Sequence, residues 1–565
     1  MERNTASKHN PMHGEGLAVA AAEPADLLVI GGGIVGAGVA RDAAMRGLRV
    51  VLAEARDLGW GTSSRSSRLI HGGIRYLEHA QFKLVSEALR ERAVLRHIAP
   101  HLVWPLPFVF PLFRGDRVPP WKLAAGLWFY DLLAGRRKLE RHRRLSQRDV
   151  LELEPALRST GLEGGGRYVD MQCDDARLVV ATARSAAMHG AHILTHTAVE
   201  SLLLVEDGRV SGARLHDQIT GRRETVRAQV VVSAAGPWTD EVRQLENPDA
   251  RPVLRTTKGS HIVVPRGRLG NTTAVTFLSP LDGRVMFALP WGERWSYVGT
   301  TDTDDGGAPD SVHATPADVE YLLRSVNAVF PSAHLQNEDV MATWAGLRPL
   351  LQDGAVNASN VSREHAIIEG SGGMLAVAGG KLTTYRPMAA DVVNRVVDKL
   401  REAGSGQRGA GPNANPERRI GGRKIPRSAP TDKEPLPGGE SAELTPIGNL
   451  AREVLDEVTV THLLRHYGTE TASMANLVRA HPKLARPIHP EHPAIAAEVV
   501  HHMRREFART VEDVLVRRIH LFYETADQGA AAAPMVAHVM GKELNWTSSR
   551  EQEEVARYEA GTGRL

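Results

Sequence analysis

The sequence predicts an α/β protein that ends in a separate helical domain, and three observations carry that prediction. Near residue 30 a short apolar run passes directly into a spaced-glycine turn and then into helical composition. Through the middle of the chain, apolar strand-like runs alternate with glycine turns. Beyond a stretch rich in Gly, Pro and charge, the pattern changes to helical periodicity.

Leu27 to Ile30 has the continuous apolar character of a strand buried on both faces of a parallel sheet. It leads into Gly31-x-Gly33-x-x-Gly36, followed by helical composition from Val39 to Met45. The three glycines serve a tight turn, close approach of backbone to a pyrophosphate, and close packing of helix on strand. The helix N-terminus adds unpaired N–H groups and the positive end of its dipole. Arg49 to Ala53 reads as a second strand closed by Glu54, 18 residues past Gly36, near the spacing at which a carboxylate meets a ribose hydroxyl. Strand, turn, helix, strand and acid together predict a Rossmann-type dinucleotide-binding unit.

The chain has 565 residues, enough for several domains and a large core. Charged residues are nearly balanced, with a formal net charge of +3, so the overall field gives no argument for nucleic acid. A single cysteine, Cys173, excludes an internal disulfide, a CxxC pair and a multi-cysteine zinc site, and fits a reducing, cytoplasmic compartment. No run reaches the ~18 apolar residues of a transmembrane helix. Residues 1–24 have no secretory pattern and read as a disordered extension.

After Glu54 comes a small, hydroxyl-rich loop, Gly59 to Arg68, suited to a flavin or phosphate, and then His71-Gly-Gly-Ile-Arg-Tyr76. Gln81 to Ile98 reads as an amphipathic helix with Phe82, Val85 and Leu89 on one face. Trp121 to Ala134 is apolar and aromatic, and Arg136, Arg137, Lys138, Arg141, Arg143 and Arg144 follow it. That pairing suits an interfacial membrane anchor and equally a core helix beside a solvated loop. Strands are expected at Ile193–Thr195, Ala198–Val205, Val210–Leu215, Val226–Ala235, Ser260–Pro265, Val285–Thr301 and Leu375–Ala378. The last of these enters Gly379-Gly380-Lys381 and a helix running towards Leu400. Residues 25–401 are therefore read as interleaved cofactor and substrate domains, 402–440 as a linker, and 441–565 as a helical domain with segments at Ile495–Phe507 and Val511–Tyr523.

Lys381 follows a Gly-Gly turn at a helix N-terminus, where a cation opposes the macrodipole and an anionic partner explains it. Arg348 and Arg75 also stand in glycine-flanked apolar contexts, and three such cations suggest a phosphate or carboxylate pocket. Any one of them alone reads first as a member of a structural ion pair. His71 and His261 are candidate bases. HExxH, GxSxG and Walker sequences are absent, and no metal site is expected.

Several runs resemble the FAD-dependent glycerol-3-phosphate dehydrogenases of the aerobic, respiratory type: IGGGIVGAGV at 30–39, TSSRSSRLIHGGIRYLEH at 62–79, KGSHIVVPRG at 258–267, VGTTDT at 298–303, GLRPLL at 346–351 and GGKLTTYRP at 379–387. Weaker matches continue at 435–440 and at Arg517-Arg518. The second and last of the strong runs are specific; the first is shared by many flavoproteins.

The resemblance implies a glutathione-reductase-like FAD-binding domain, a mixed or antiparallel-sheet substrate domain and a C-terminal α-helical cap. It implies oxidation of sn-glycerol 3-phosphate to dihydroxyacetone phosphate by hydride transfer from C2 to the flavin. Electrons then leave to a membrane quinone at the inner face of the cytoplasmic membrane, from a peripheral homodimer that binds no nucleic acid. Carried over by position, Arg75, Tyr76, Arg348 and Lys381 would hold the substrate, and Gly31, Gly33, Gly36, Glu54, Thr62, Ser63, Ser67, Gly236, Gly380 and Thr383 would face FAD. Which of His71 and His261 takes the hydroxyl proton stays open. So do an oxidase that uses oxygen and makes hydrogen peroxide, an NAD enzyme built on the same βαβ unit, and a flavin-bound interaction protein without turnover.

Overall fold

The computed structural model describes residues 16–79, 81–352, 365–405, 419–420 and 423–562. Ala25–Ile30 forms β1, Ile34–Met45 helix α1 and Val50–Ala53 β2. β1 lies between β2 and the strand Arg223–Ser233, parallel to both, and every residue of β1 and β2 is buried. His192–Leu194 continues the sheet beyond β2, Leu375–Gly379 beyond Arg223–Ser233, and His365–Glu369 closes the edge antiparallel. Burial on both faces explains the unbroken apolar runs. α1, Asp175–Met188 and Tyr385–Ser405 pack one face, and the hairpin Thr197–Leu204/Val210–Asp217 covers the other.

A second, mixed sheet is built around Leu254–Pro265, which pairs antiparallel with Ala342–Leu351 and with Trp295–Gly299. It continues through Val285–Trp291 and Ala274–Leu278 to Val103–Phe113 and Leu162–Cys173, with one parallel junction at Ala274–Phe108. The expected single strand at Val285–Thr301 is a hairpin, turned at Gly292 with positive φ.

Helix α2 spans Phe82–Ile98 and α3 Pro120–Ala134. Val85 and Leu89 are buried as expected, but Phe82 is exposed. α3 starts on a proline and stops at Gly135, whose φ is +53°. Its Leu123, Leu127 and Tyr130 pack inward, while Trp121, Trp128, Phe129 and Leu132 are exposed beside the exposed Arg136, Arg137 and Lys138. Among the described residues, no helix is long and apolar enough to cross a membrane.

Three boundaries differ from the sequence reading. Gly16–Ala21, inside the expected 1–24 extension, is a helix whose Leu17 and Ala20, three apart on one face, bury against Ala25 and Val226; residues 1–15 lie outside the described residues. Of the expected 402–440 linker, residues 402–405 end a helix and 406–418 lie outside the described residues. Its last part is packed: Ile425 and Leu436 are buried, and Arg41 donates to the carbonyls of Thr431 and Glu434. In the helical C-terminal region, Val511–Tyr523 is a π-turn at Asp513–Arg518 and a short helix at Leu521–Glu524, broken where His520 takes φ +66°.

Candidate active site

The glycine turn is fixed by close approaches. Gly31 has φ +106°, and a Cβ there would sit 2.7 Å from the carbonyl oxygen of Ala234. A Cβ at Gly36 would overlap the carbonyl oxygen of Gly31, so Gly36 serves the packing of α1 on the turn and does not line the cavity above it. Gly33 caps α1, and the Ile34 N–H donates to Ser63 Oγ at 3.0 Å. Gly31, Gly33, Ile34 and Val35 line a cavity of about 710 Å³ at the C-terminal ends of the parallel strands. Ligands in open α/β sheets gather at that place.

Glu54 is half-buried on the same cavity and accepts from the N–H groups of Gly32 at 2.6 Å and Arg56 at 2.8 Å. Burial holds its carboxyl above the usual range. The acid thus braces the glycine turn itself, with lone pairs left for a further donor. Thr62 Oγ1 donates to the carbonyl of Leu347 at 2.5 Å, tying the hydroxyl-rich loop to the strand that carries Arg348. Gly236 and Gly380, both with positive φ, and Thr383 complete this side of the cavity.

The second sheet supplies the opposite wall. His261 is buried, stacks on Trp344 at 4.9 Å, and shares a 2.9 Å hydrogen bond between Nε2 and Ser67 Oγ. Its Nδ1 has no partner among the described residues. Burial, with Arg348 and Arg68 nearby, pushes its pKa down to about 3, so the imidazole is neutral. Arg348, opposite Thr257 in the sheet register, donates to Asp302 Oδ1 and Thr300 Oγ1, both at 3.0 Å. A Cβ on Gly259 would overlap that guanidinium, which explains the glycine before Ser260-His261. Lys381 Nζ sits 3.6 Å from the Tyr76 ring centre. His71 lies on the wall beside them, its N–H 3.4 Å from Thr383 Oγ1.

Thus His71, Tyr76, His261, Arg348 and Lys381, drawn from four separate stretches of chain, line one cavity with Gly31, Gly33, Glu54, Thr62, Ser63, Ser67, Gly236, Gly380 and Thr383. Arg75 belongs to the 3₁₀ turn Ile74–His79, but its side chain lies outside the described residues. The sequence reading passed over Trp60, Arg65 and Trp238, which also line the cavity; Trp60 and Trp238 approach to 5.9 Å, and Arg65 lies over Trp60 at 4.6 Å. Arg65 lay within the quoted 62–79 run, but nothing local marked it as inward-facing. A helix N-terminus behind the glycine turn, a half-buried carboxylate and a long cavity fit FAD.

Two family models match the chain: "FAD dependent oxidoreductase" over residues 26–386 and "C-terminal domain of alpha-glycerophosphate oxidase" over residues 429–551. Glycerol-3-phosphate dehydrogenase 2 of Mycobacterium tuberculosis is 40% identical over 546 residues, covering 95% of this chain and 88% of its own. The aerobic glycerol-3-phosphate dehydrogenase of Staphylococcus haemolyticus is 34% identical over 541 residues, covering 94% and 93%. Among solved structures, the glycerol-3-phosphate dehydrogenase of Bacillus halodurans complexed with FAD superposes with a TM-score of 0.78 at 29% identity, over 97% of this chain and 96% of that one. This protein is accordingly an FAD-dependent oxidoreductase, and the chain belongs to the FAD-dependent glycerol-3-phosphate dehydrogenase family.

Proposed function

We propose that the protein oxidises sn-glycerol 3-phosphate to dihydroxyacetone phosphate in this cavity, with a membrane quinone as final acceptor. The observation that carries the reading is the convergence of Lys381, Arg348 and a neutral His261 on the cavity that begins at the glycine turn. The names of the mycobacterial and staphylococcal relatives support the substrate. FAD, when bound, would supply the two-electron chemistry that oxidation of the C2 alcohol requires.

The chain's own residues bind and orient. Arg348 and Lys381 form charge-assisted hydrogen bonds to the phosphate, with Arg75 and Tyr76 beside them. Tyr76 sits under the Lys381 ammonium and limits where it can go. Gly31, Gly33, Ser63, Thr62, Ser67, Gly236, Gly380 and Thr383 hold FAD, with Glu54 towards its ribose. His261 takes the hydroxyl proton. Arg348 is one of the charges that depress its pKa, so a dianionic phosphate on Arg348 makes the imidazole a better base as substrate binds. His71 is the second candidate. The exposed aromatic face of α3 beside Arg136, Arg137 and Lys138 supports a peripheral seat on an anionic bilayer, and with it the quinone.

Anaerobic addition of glycerol 3-phosphate should bleach the flavin, while glycerol and lactate should not; no bleaching by glycerol 3-phosphate would end the substrate assignment. Subsequent admission of quinone or of air distinguishes the acceptors.

A further inference from the structure

The His261 ring offers the cavity little of itself. It is 2% exposed, with Trp344 stacked on one face and Gly299 against the edge that carries Nε2, where a Cβ would come within 2.6 Å of that nitrogen. Nδ1 is buried without a partner among the described residues, and Nε2 lies 2.9 Å from Ser67 Oγ. Ser67 is half-buried on the cavity wall. The pair therefore meets the cavity through the serine hydroxyl.

The backbone around that hydroxyl is tied down on both sides. Ser66 Oγ donates to Asp175 at 2.7 Å, and the Ser66 carbonyl accepts from Trp344 Nε1 at 3.1 Å. The Ser67 carbonyl accepts from Tyr297 Oη at 3.0 Å. Arg68, next in the chain, is held at φ +52°, a region non-glycine residues seldom take, with its guanidinium 3.7 Å from the Trp291 ring centre. Such strain persists only where the surroundings over-determine it, and it gathers at active sites. The Ser67 side chain itself bonds only His261 among the described residues. A hydroxyl that donates to Nε2 keeps two lone pairs, room for an incoming O–H.

We propose that Ser67 is a catalytic residue that relays the proton, taking it from the substrate hydroxyl on Oγ while handing its own to His261 Nε2. The inference rests on glycerol 3-phosphate as substrate and His261 as base, and adds the atom between them. The substrate O–H bond breaks as a Ser67 O–H forms, and the former Ser67 O–H breaks as an N–H forms on Nε2. The serine ends as it began and the imidazole gains one proton; the electrons and the C2 hydrogen take no part in the relay. In the resting ring Nδ1 bears the proton, so that Nε2 offers its lone pair. With its hydroxyl given to His261, Ser67 faces FAD through its backbone. The imidazolium stands near Arg348 and Arg68, so the relay favours a substrate whose phosphate offsets those charges.

The test is anaerobic stopped-flow reduction of the FAD-loaded enzyme by glycerol 3-phosphate in mixtures of H₂O and D₂O. Two protons in flight should bend the wild-type plot of rate against deuterium fraction, whereas direct transfer to His261 would leave it straight and overturn the relay. That readout needs no variant, and a merely structural serine would not move it. Ser67→Ala should slow reduction about a hundred-fold or more, the usual worth of a positioned proton-transfer group, with flavin content unchanged. Ser67→Thr keeps a hydroxyl and should recover most of the rate together with the bent plot. A Ser67→Ala enzyme reduced at the wild-type rate would overturn the relay and leave His261 as a direct base. Wild-type reduction by His261→Gln would overturn the base and the relay together. A wild type that glycerol 3-phosphate does not reduce would remove the substrate reading on which both rest.

Discussion

Arg518 reaches back across the chain to Asp57: Nη1 lies 2.7 Å from Oδ2 and Nη2 2.8 Å from Oδ1, with both side chains fully buried. Arg517 adds a third contact, Nε to Oδ2 at 2.6 Å. Asp57 stands three residues beyond Glu54, so the C-terminal helical region is pinned to the loop that braces the glycine turn.

Arg518→Met should therefore act at a distance. Removing one member of a buried, hydrogen-bonded ion cluster costs about 3–5 kcal/mol. Urea unfolding should register that loss, and flavin content should drop as the Asp57 loop loosens. Unchanged stability together with full flavinylation would mean that Arg517 alone holds the loop.

At the glycine turn, two substitutions should separate cofactor from fold. A Cβ on Gly33 meets only Ser63 Oγ, at 3.2 Å, so Gly33→Val should give a folded but colourless protein, its side chain in the pyrophosphate path. Gly36→Ala would overlap the Gly31 carbonyl and should lower the melting temperature itself. A yellow, fully flavinylated Gly33→Val protein would remove the turn from the cofactor site.

Arg348 has a partner in Asp302 already, and its loss must be judged against glycerol, which has no phosphate. Charge-assisted hydrogen bonds are worth roughly 1.5–3 kcal/mol, so Arg348→Ala should lower kcat/KM for glycerol 3-phosphate by about ten- to a hundred-fold or more. Arg348→Lys should rescue only part of this, lacking the planar fork. The preference for glycerol 3-phosphate over glycerol should largely vanish. If the variant instead loses flavin or unfolds while the preference persists, Arg348 serves only its pair with Asp302.

For the membrane, reversing Arg136, Arg137 and Lys138 to Glu should release the protein from anionic liposomes in a flotation assay. Basic groups near an anionic surface contribute about 1 kcal/mol each. Retained binding would assign α3 to packing alone.

Acid should destabilise the native state through its buried histidines before most carboxylates titrate. Burial lowers His101 and His261 to about 3 and His466 to about 4. In the unfolded chain each takes a proton below about 6.5, so stability falls as pH drops through that value towards the native pKa. Each histidine contributes about 1.4 kcal/mol per pH unit to the slope. His101→Phe should flatten the dependence of unfolding free energy between pH 5 and 6 by about that amount. An unchanged slope would mean that the native state already accepts the proton at His101.

What the sequence determined by itself is what local geometry and chemistry dictate. Gly31 and Gly380 need positive φ, and Gly36 needs contact with a carbonyl only five residues away, so the cofactor turn and the Lys381 turn could be read from spacing. Unbroken apolar runs gave the buried parallel strands, because a strand covered on both faces has no polar side. The resemblance of four separate segments supplied the rest of the cavity wall, although no single one of them shows that it meets the others. Tertiary structure alone decided pairings and faces. Arg348 finds Asp302 across the second sheet, and Arg518 finds Asp57 from 461 residues away. α3 is apolar nearly all round, so its sequence has no periodicity to say that Leu127 and Tyr130 turn inward while Trp128 and Leu132 turn out. The same holds for residues 425–440, where Gly, Pro and charge resemble a linker until Leu436 and the carbonyls held by Arg41 fix the segment against the core. Such choices depend on which surface arrives opposite, and that is set by the packing of distant elements and not by the residues nearby.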